Sequence, residues 1–166
     1  MKYNFYQSIE DQKPYKELFV QWFSNRPKVS NIREGTLEED KMGIDFFITT
    51  TDNESYTVQL KVDFKADNTG NLPVETISQA YSWRNSVIGA EFNMSTVDYI
   101  FFFLIPSKRI IAFNFKDFIE YAIQNYKTFR NFGADNEVDN VKYRTLGCLI
   151  PISKIIHLAI LDTMVE

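Results

Sequence analysis

Residues 56–65 read Tyr-Thr-Val-Gln-Leu-Lys-Val-Asp-Phe-Lys, apolar at every even position and polar at every odd one. Strict alternation over this length matches the two-residue repeat of a β-strand and no helical period, so the stretch belongs in a sheet with its even face in a core. Its odd face carries Gln59, Lys61 and Asp63. Just upstream, Gly43-Ile44-Asp45-Phe46-Phe47-Ile48 repeats the pattern, with Ile44, Phe46 and Ile48 on one face and Asp45 pointing the other way. Asp52-Asn53 supplies turn chemistry between the two strands.

Antiparallel partners share a face, so the numbers of two facing residues sum to an even value. A turn centred on Asp52 sets Asp45 opposite Gln59, and one centred on Asn53 sets it opposite Lys61. Either register collects a carboxylate, an amide oxygen and an ammonium on one face of a hairpin, away from the apolar side. Those groups are the working parts of Mg²⁺-dependent phosphodiester hydrolysis.

Other chemistries are poorly supplied. Cys148 is the only cysteine and sits in an apolar run, so intrachain disulfides and thiolate zinc sites are excluded. His157, the only histidine, lies among Ile155, Ile156 and Leu158 and is expected to be a packed core residue. A histidine base or a His-rich metal site is therefore disfavoured, and hydrolysis would run on carboxylates, lysine and a hard metal. With 45% apolar and 16% aromatic residues, the 166-residue chain is expected to fill one domain spanning residues 1–166. No apolar run approaches the ~20 residues that span a bilayer. The Met-Lys-Tyr-Asn start lacks the apolar core of a signal peptide, and the expected location is cytoplasmic, with no membrane partner.

The net charge of −4 is unevenly spread. Residues 35–75 hold nine carboxylates against three lysines, an excess of six negative charges around the hairpin, while residues 1–34 are slightly basic and the rest is balanced. A divalent cation would neutralise such a cluster. A solvated acidic loop accounts for Glu38-Glu39-Asp40 equally well, but less well for Asp45 between Ile44, Phe46 and Phe47.

Elsewhere, Tyr15, Leu18, Phe19 and Trp22 recur at helical spacing over residues 12–25, before Pro27, and Glu17 lies on that helix. Asp67-Asn68-Thr69-Gly70-Asn71 is a turn-rich loop, followed by a strand pattern through Leu72-Pro73-Val74 to Glu75. Residues 76–90 are compatible with strand, helix or loop. Residues 97–105 form a nearly continuous apolar run, as a central strand covered on both faces would. Residues 110–113 pattern as its partner strand, 115–129 as a helix, 133–140 as a polar acidic loop, and 143–150 and 155–161 as late apolar elements. The order implies an α/β domain, a mixed central sheet flanked by helices.

An acidic residue, then Gly43-Ile44-Asp45 on a strand, a short turn, and Gln59-Leu60-Lys61 on the next strand together resemble the PD-(D/E)XK, or restriction endonuclease-like, nuclease superfamily. More narrowly, Lys61-x-Asp63 followed by Thr69-Gly70-Asn71-Leu72-x-Val74-Glu75 is similar to a run in its small phage and bacterial members, as is the strand at Thr96–Ile100. The similarity covers about residues 35–120. It implies a restriction endonuclease-like fold and a Mg²⁺- or Mn²⁺-dependent deoxyribonuclease acting in recombination, repair or restriction. Catalytic roles would fall to Asp45, Gln59, Lys61 and Glu75. Asp45, Gln59 and the carbonyl of Leu60 would hold the metal, while Lys61 would orient or deprotonate the attacking water. The second acid of the motif is here Gln59, which brings an oxygen but no charge. Glu75, Asp63, Asp40 or Glu39 could supply the missing charge, with Glu75 preferred. The exchange equally fits an inactive nuclease-fold protein that binds nucleic acid or a protein partner. Lys65, Arg84, Lys108 and Arg109 are candidates for DNA phosphate contacts, with Tyr81 and Trp83 for stacking. An alternative reading of Lys61 is an ion pair with Asp45. A homodimer would let both strands be cut, but no dimer face is legible.

Overall fold

A computed structural model of the chain describes residues 3–80, 86–88, 97–138 and 141–165. The first half contains β1 (Tyr3–Asn4), α1 (Phe5–Ser24), β2 (Val29–Glu34), α2 (Leu37–Lys41), β3 (Phe46–Thr50), β4 (Ser55–Asp63), α3 (Ala66–Thr69), β5 (Asn71–Ala80) and β6 (Ser86–Ile88). The second half contains β7 (Tyr99–Leu104), β8 (Arg109–Asn114), α4 (Phe115–Asn125), β9 (Arg130–Val138), β10 (Val141–Pro151), α5 (Ile152–Ile155) and β11 (Ala159–Met164).

The architecture is mixed α/β. The alternating stretch forms β4, which lies inside a six-stranded sheet ordered β11-β8-β7-β4-β3-β2. Only the central β4–β7 pair in that sheet is parallel. A second, five-stranded sheet runs β1-β9-β10-β5-β6.

Two apolar layers cover the first sheet. On one face α1 presents Tyr15, Leu18, Phe19, Trp22 and Phe23, spaced as one helical stripe, against Phe46, Ile48, Val58, Leu60, Phe101 and Phe103. On the other face Ile100, Phe102, Leu104, Ile111 and Phe113 pack with Phe115, Phe118, Ile119 and Ala122 of α4. Leu72 and Val74 of β5 and Cys148 and Ile150 of β10 complete this layer. Asn114 starts α4 by accepting from the amides of Lys116 and Asp117 at 3.1 and 3.4 Å, satisfying two of the helix's unpaired donors.

Several expectations are corrected. The first helix begins at Phe5 and carries Pro14 within it, because its apolar stripe outweighs one missing amide donor. The strand after α2 begins at Phe46 rather than Gly43, and Ile44 packs in the α4 layer while Phe46 and Ile48 pack under α1. Residues 130–138, read partly as a loop, form β9, because pairing with β10 and β1 satisfies a polar strand's backbone without an apolar face. Residues 71–80 are β5, which resolves part of the open stretch. His157 is exposed, with its ring edge-on to Tyr121 at 5.8 Å, because its 3₁₀ turn directs the side chain outward.

Candidate active site

The β3–β4 hairpin ladder ends at Phe46 opposite Val58. Continuing the register one step places Asp45 across from Gln59, the arrangement expected of a turn centred on Asp52; Asn53, with φ of 61°, occupies the tight bend. Asp45 is no longer strand, yet it remains attached to β4. Its amide donates to the Val58 carbonyl at 2.9 Å, and its Oδ2 accepts from the Leu60 amide at 2.8 Å. The carboxylate thus extends the ladder where the backbone turns away, and it sits against the Gln59–Leu60 peptide.

The turn away is enforced from the other side. Gly35 donates to the Asp45 carbonyl at 2.8 Å, and a Cβ on Gly35 would lie 2.3 Å from the Ile44 carbonyl oxygen. Only glycine permits this approach of two backbones. Between them, α2 is closed by a capping box in which Thr36 and Glu39 exchange bonds, and Arg33 grips Glu39 at 2.8 and 3.0 Å. That guanidinium is the main reason the Glu39 carboxyl is lowered to about 2. The acidic loop expected at Glu38–Asp40 is therefore a capped helical turn, signalled by the Thr36-x-x-Glu39 spacing.

Asp45 is 13% exposed, and burial pushes its carboxyl above the ordinary range. Opposing that shift are Lys16, the Leu60 amide and, more weakly, Lys61. The direct ion-pair partner is Lys16 of α1, whose Nζ lies 3.3 Å from Asp45 Oδ1. The pair expected with Lys61 is corrected accordingly: Lys61 acts on Asp45 through longer-range attraction. Lys16 lies beside the apolar stripe of its helix, and that stripe does not say which carboxylate the side chain reaches. Its position three residues before buried Phe19 was the available signal.

Pairing of β4 with β7 sets Gln59 beside Ile100, Lys61 beside Phe102 and Asp63 beside Leu104. Parallel neighbours in register share a face. The polar row of β4 therefore lies on the α4 side of a doubly covered sheet, not on an open face as the alternation suggested. Gln59 is 5% exposed, the sole buried polar side chain among the described residues. Its Oε1 has no hydrogen-bond partner there. Asp63, by contrast, accepts from the amides of Lys65 and Ala66 at 2.7 and 2.5 Å and so starts α3.

Of the other proposed charges, Glu75 lies on β5 of the second sheet, in register with Gly147. Asp40, exposed on α2, is close enough to raise the Asp45 carboxyl by repulsion. Lys65 and Lys108 are exposed, whereas the Arg109 guanidinium holds Asp162 through two bonds of 2.7 and 2.8 Å. Arg84, Tyr81 and Trp83 lie outside the described residues.

Among the described residues no three His, Cys, Asp or Glu side chains converge as a metal cage. The donors present nonetheless suit a small hard cation, which is held by one or two carboxylates and completes its shell with water or phosphate. Asp45 supplies one carboxylate, Asp40 stands nearby, and Gln59 offers a neutral oxygen that no other described residue satisfies. The fold defines a mixed α/β protein in which an Asp45–Lys16 ion pair is anchored to β4 at the open end of a central hairpin. Compared with protein-family models, curated proteins and solved structures, the chain matches none.

Proposed function

We propose that this protein is a metal-dependent nuclease of restriction endonuclease-like fold that hydrolyses phosphodiester bonds of DNA. The observation that supports this reading is the Gln59 amide oxygen, buried with no hydrogen-bond partner among the described residues, one register step beyond the β3–β4 ladder where the half-buried Asp45 carboxylate is held. A buried carbonyl left unmatched costs about 1–3 kcal/mol, and a cation would offset that penalty. Asp45, Gln59 and the Leu60 carbonyl would hold Mg²⁺ or Mn²⁺, with Asp40 or Glu75 as the second carboxylate. When bound, the ion would polarise the scissile phosphate and stabilise the leaving oxygen.

The chain's own groups do the rest. Leu60 N–H fixes one oxygen of Asp45, so the carboxylate cannot rotate away from β4. Lys61, on the same row as Gln59, would in its neutral form orient and deprotonate the attacking water, or as an ammonium screen the negative charge that develops on the phosphate. Exposed Lys65 and Lys108 are available for phosphate contacts, and Arg109 would first have to leave Asp162.

A second reading, an inactive nuclease-fold protein binding nucleic acid or a protein partner, is favoured by one observation. Both Asp45 oxygens are already engaged, one by Lys16 and the other by the Leu60 amide. Titrating Mg²⁺ and Mn²⁺ calorimetrically into wild type and Asp45→Ala, then incubating both with plasmid and branched DNA, separates the two. Binding and cutting that vanish together in Asp45→Ala support the nuclease. A folded wild type that binds neither metal refutes it and leaves the second reading. No helix among the described residues is long and apolar enough to cross a membrane.

A further inference from the structure

The Asp45 carboxylate is held asymmetrically. Oδ2 is committed to the Leu60 amide at 2.8 Å, which ties it to the backbone of β4. Oδ1 faces Lys16 Nζ at 3.3 Å, and Lys16 is 31% exposed while Asp45 is 13% exposed. The ladder-end geometry therefore leaves Oδ1 as the oxygen that a metal would take, and an ammonium occupies that direction. A hard cation binds carboxylate oxygen at about 2.1 Å, and a neighbouring ammonium on the same oxygen would repel it strongly. Lys16 also lines a cleft of about 690 Å³ between α1 and β2, together with Lys13, Glu17 and Glu34. A displaced Lys16 thus has space and two alternative carboxylates within the same cleft.

We propose that Lys16 is the resident counter-ion of Asp45, displaced into the α1 cleft when a divalent cation binds, so that α1 sets the metal affinity of the site. The inference rests on the metal-site reading above. Without metal, Lys16 keeps a largely desolvated carboxylate from standing unpaired, which would cost stability. With metal, the same ammonium is a competitor whose removal tightens binding.

The test is calorimetric titration of Mn²⁺ into the full chain as wild type, Lys16→Met and Lys16→Arg, with thermal melts in EDTA and in Mn²⁺. The expected result is a Kd about tenfold lower in Lys16→Met, equivalent to about 1.4 kcal/mol. Lys16→Arg, which keeps the charge, is expected to stay near wild type. Lys16→Met should melt lower than wild type in EDTA and gain more from Mn²⁺. If Lys16→Met does not fold, Lys16→Gln carries the same comparison. Equal Mn²⁺ affinity in wild type and the neutral variant, with binding still abolished by Asp45→Ala, overturns the counter-ion role and leaves the metal site standing. An absence of Mn²⁺ binding by every folded variant overturns both.

Discussion

Replacing Gln59 with leucine tests whether the central amide serves stability or a ligand. The side chain is 5% exposed on a face shared with Ile100 and Phe102, and its Oε1 makes no hydrogen bond within the described structure. Leucine is close in volume, so the substitution leaves little cavity and adds little strain. It removes an unmatched carbonyl whose burial costs about 1–3 kcal/mol, and some of that gain is lost to imperfect repacking. The expected net effect is a stabilisation of about 1–2 kcal/mol. For a chain of this size, that corresponds to a melting temperature higher by roughly 2–8 °C. Urea unfolding followed by circular dichroism in EDTA measures it, with the slope of the transition confirming that the unfolded reference is unchanged. A Gln59→Leu protein less stable than wild type by more than about 1 kcal/mol, at unchanged slope, would refute the reasoning. The amide would then be satisfied in solution, and the main support for a cation there would disappear. The same variant is expected to lose Mn²⁺ binding, so stability and ligand affinity should move in opposite directions, as they do where a site is maintained against the needs of the fold.

Three further outcomes follow from the geometry. Gly35→Ala should lose about 1–3 kcal/mol in urea unfolding, because its Cβ would meet the Ile44 carbonyl at 2.3 Å and neither backbone can yield cheaply; a loss below about 0.5 kcal/mol would show that the loop relaxes. Phe19→Ala should lose about 3–5 kcal/mol, since the ring is fully buried against Phe46 and Phe101, and an unchanged urea midpoint would mean that α1 is not docked as described. Glu39, with its carboxyl lowered from 4.5 to about 2 by Arg33, contributes stability that is present above pH 4.5 and lost as the pH falls through about 2. Melting curves of Glu39→Gln should therefore lack that part of the acid-side decline, and parallel wild-type and variant profiles between pH 4.5 and 2 would contradict the assigned pairing.

The hairpin was legible because its information is local. A two-residue repeat and a turn fix strand, partner and, up to one step, register, and β3, β4, β7 and β8 emerged close to their expected places. What covers each face is not local. Nothing in residues 56–65 reveals that the polar side of β4 faces α4, because that layer is built from β5, α4 and β10, which arrive later in the chain. The same limit explains Ile44, whose alternation with Phe46 holds in sequence but breaks where Gly35 and the Asp45 carbonyl bend the chain. Strand β9 carries no apolar pattern because it is held by its backbone, which pairs with β10 along its length and with β1 at Asn136 and Glu137. Within the candidate site, the hairpin register brings Asp45 against the Gln59–Leu60 peptide through the Leu60 amide. Lys16 comes from a distant helix, and helical period alone does not say which end of a sheet a flanking side chain reaches.

The two central strands offer an internal comparison that weighs the polar row residue by residue. On the α4 side, β7 places Ile100, Phe102 and Leu104, and β4 places Gln59, Lys61 and Asp63 directly beside them. Both strands face the same layer, so burial alone favours apolar residues on both. Asp63 is accounted for by the fold, since its carboxylate satisfies two amides that begin α3. Asp45 is partly accounted for, because it caps the end of the β3–β4 ladder, although an asparagine oxygen could accept the same bond without a buried charge. Gln59 is not accounted for by the described residues: it occupies a core position, and none of them pairs with its oxygen. With Lys16 pairing Asp45, the feature that the described residues leave unexplained is the buried Gln59 oxygen, and the contrast with Ile100 and Phe102 of β7 singles it out.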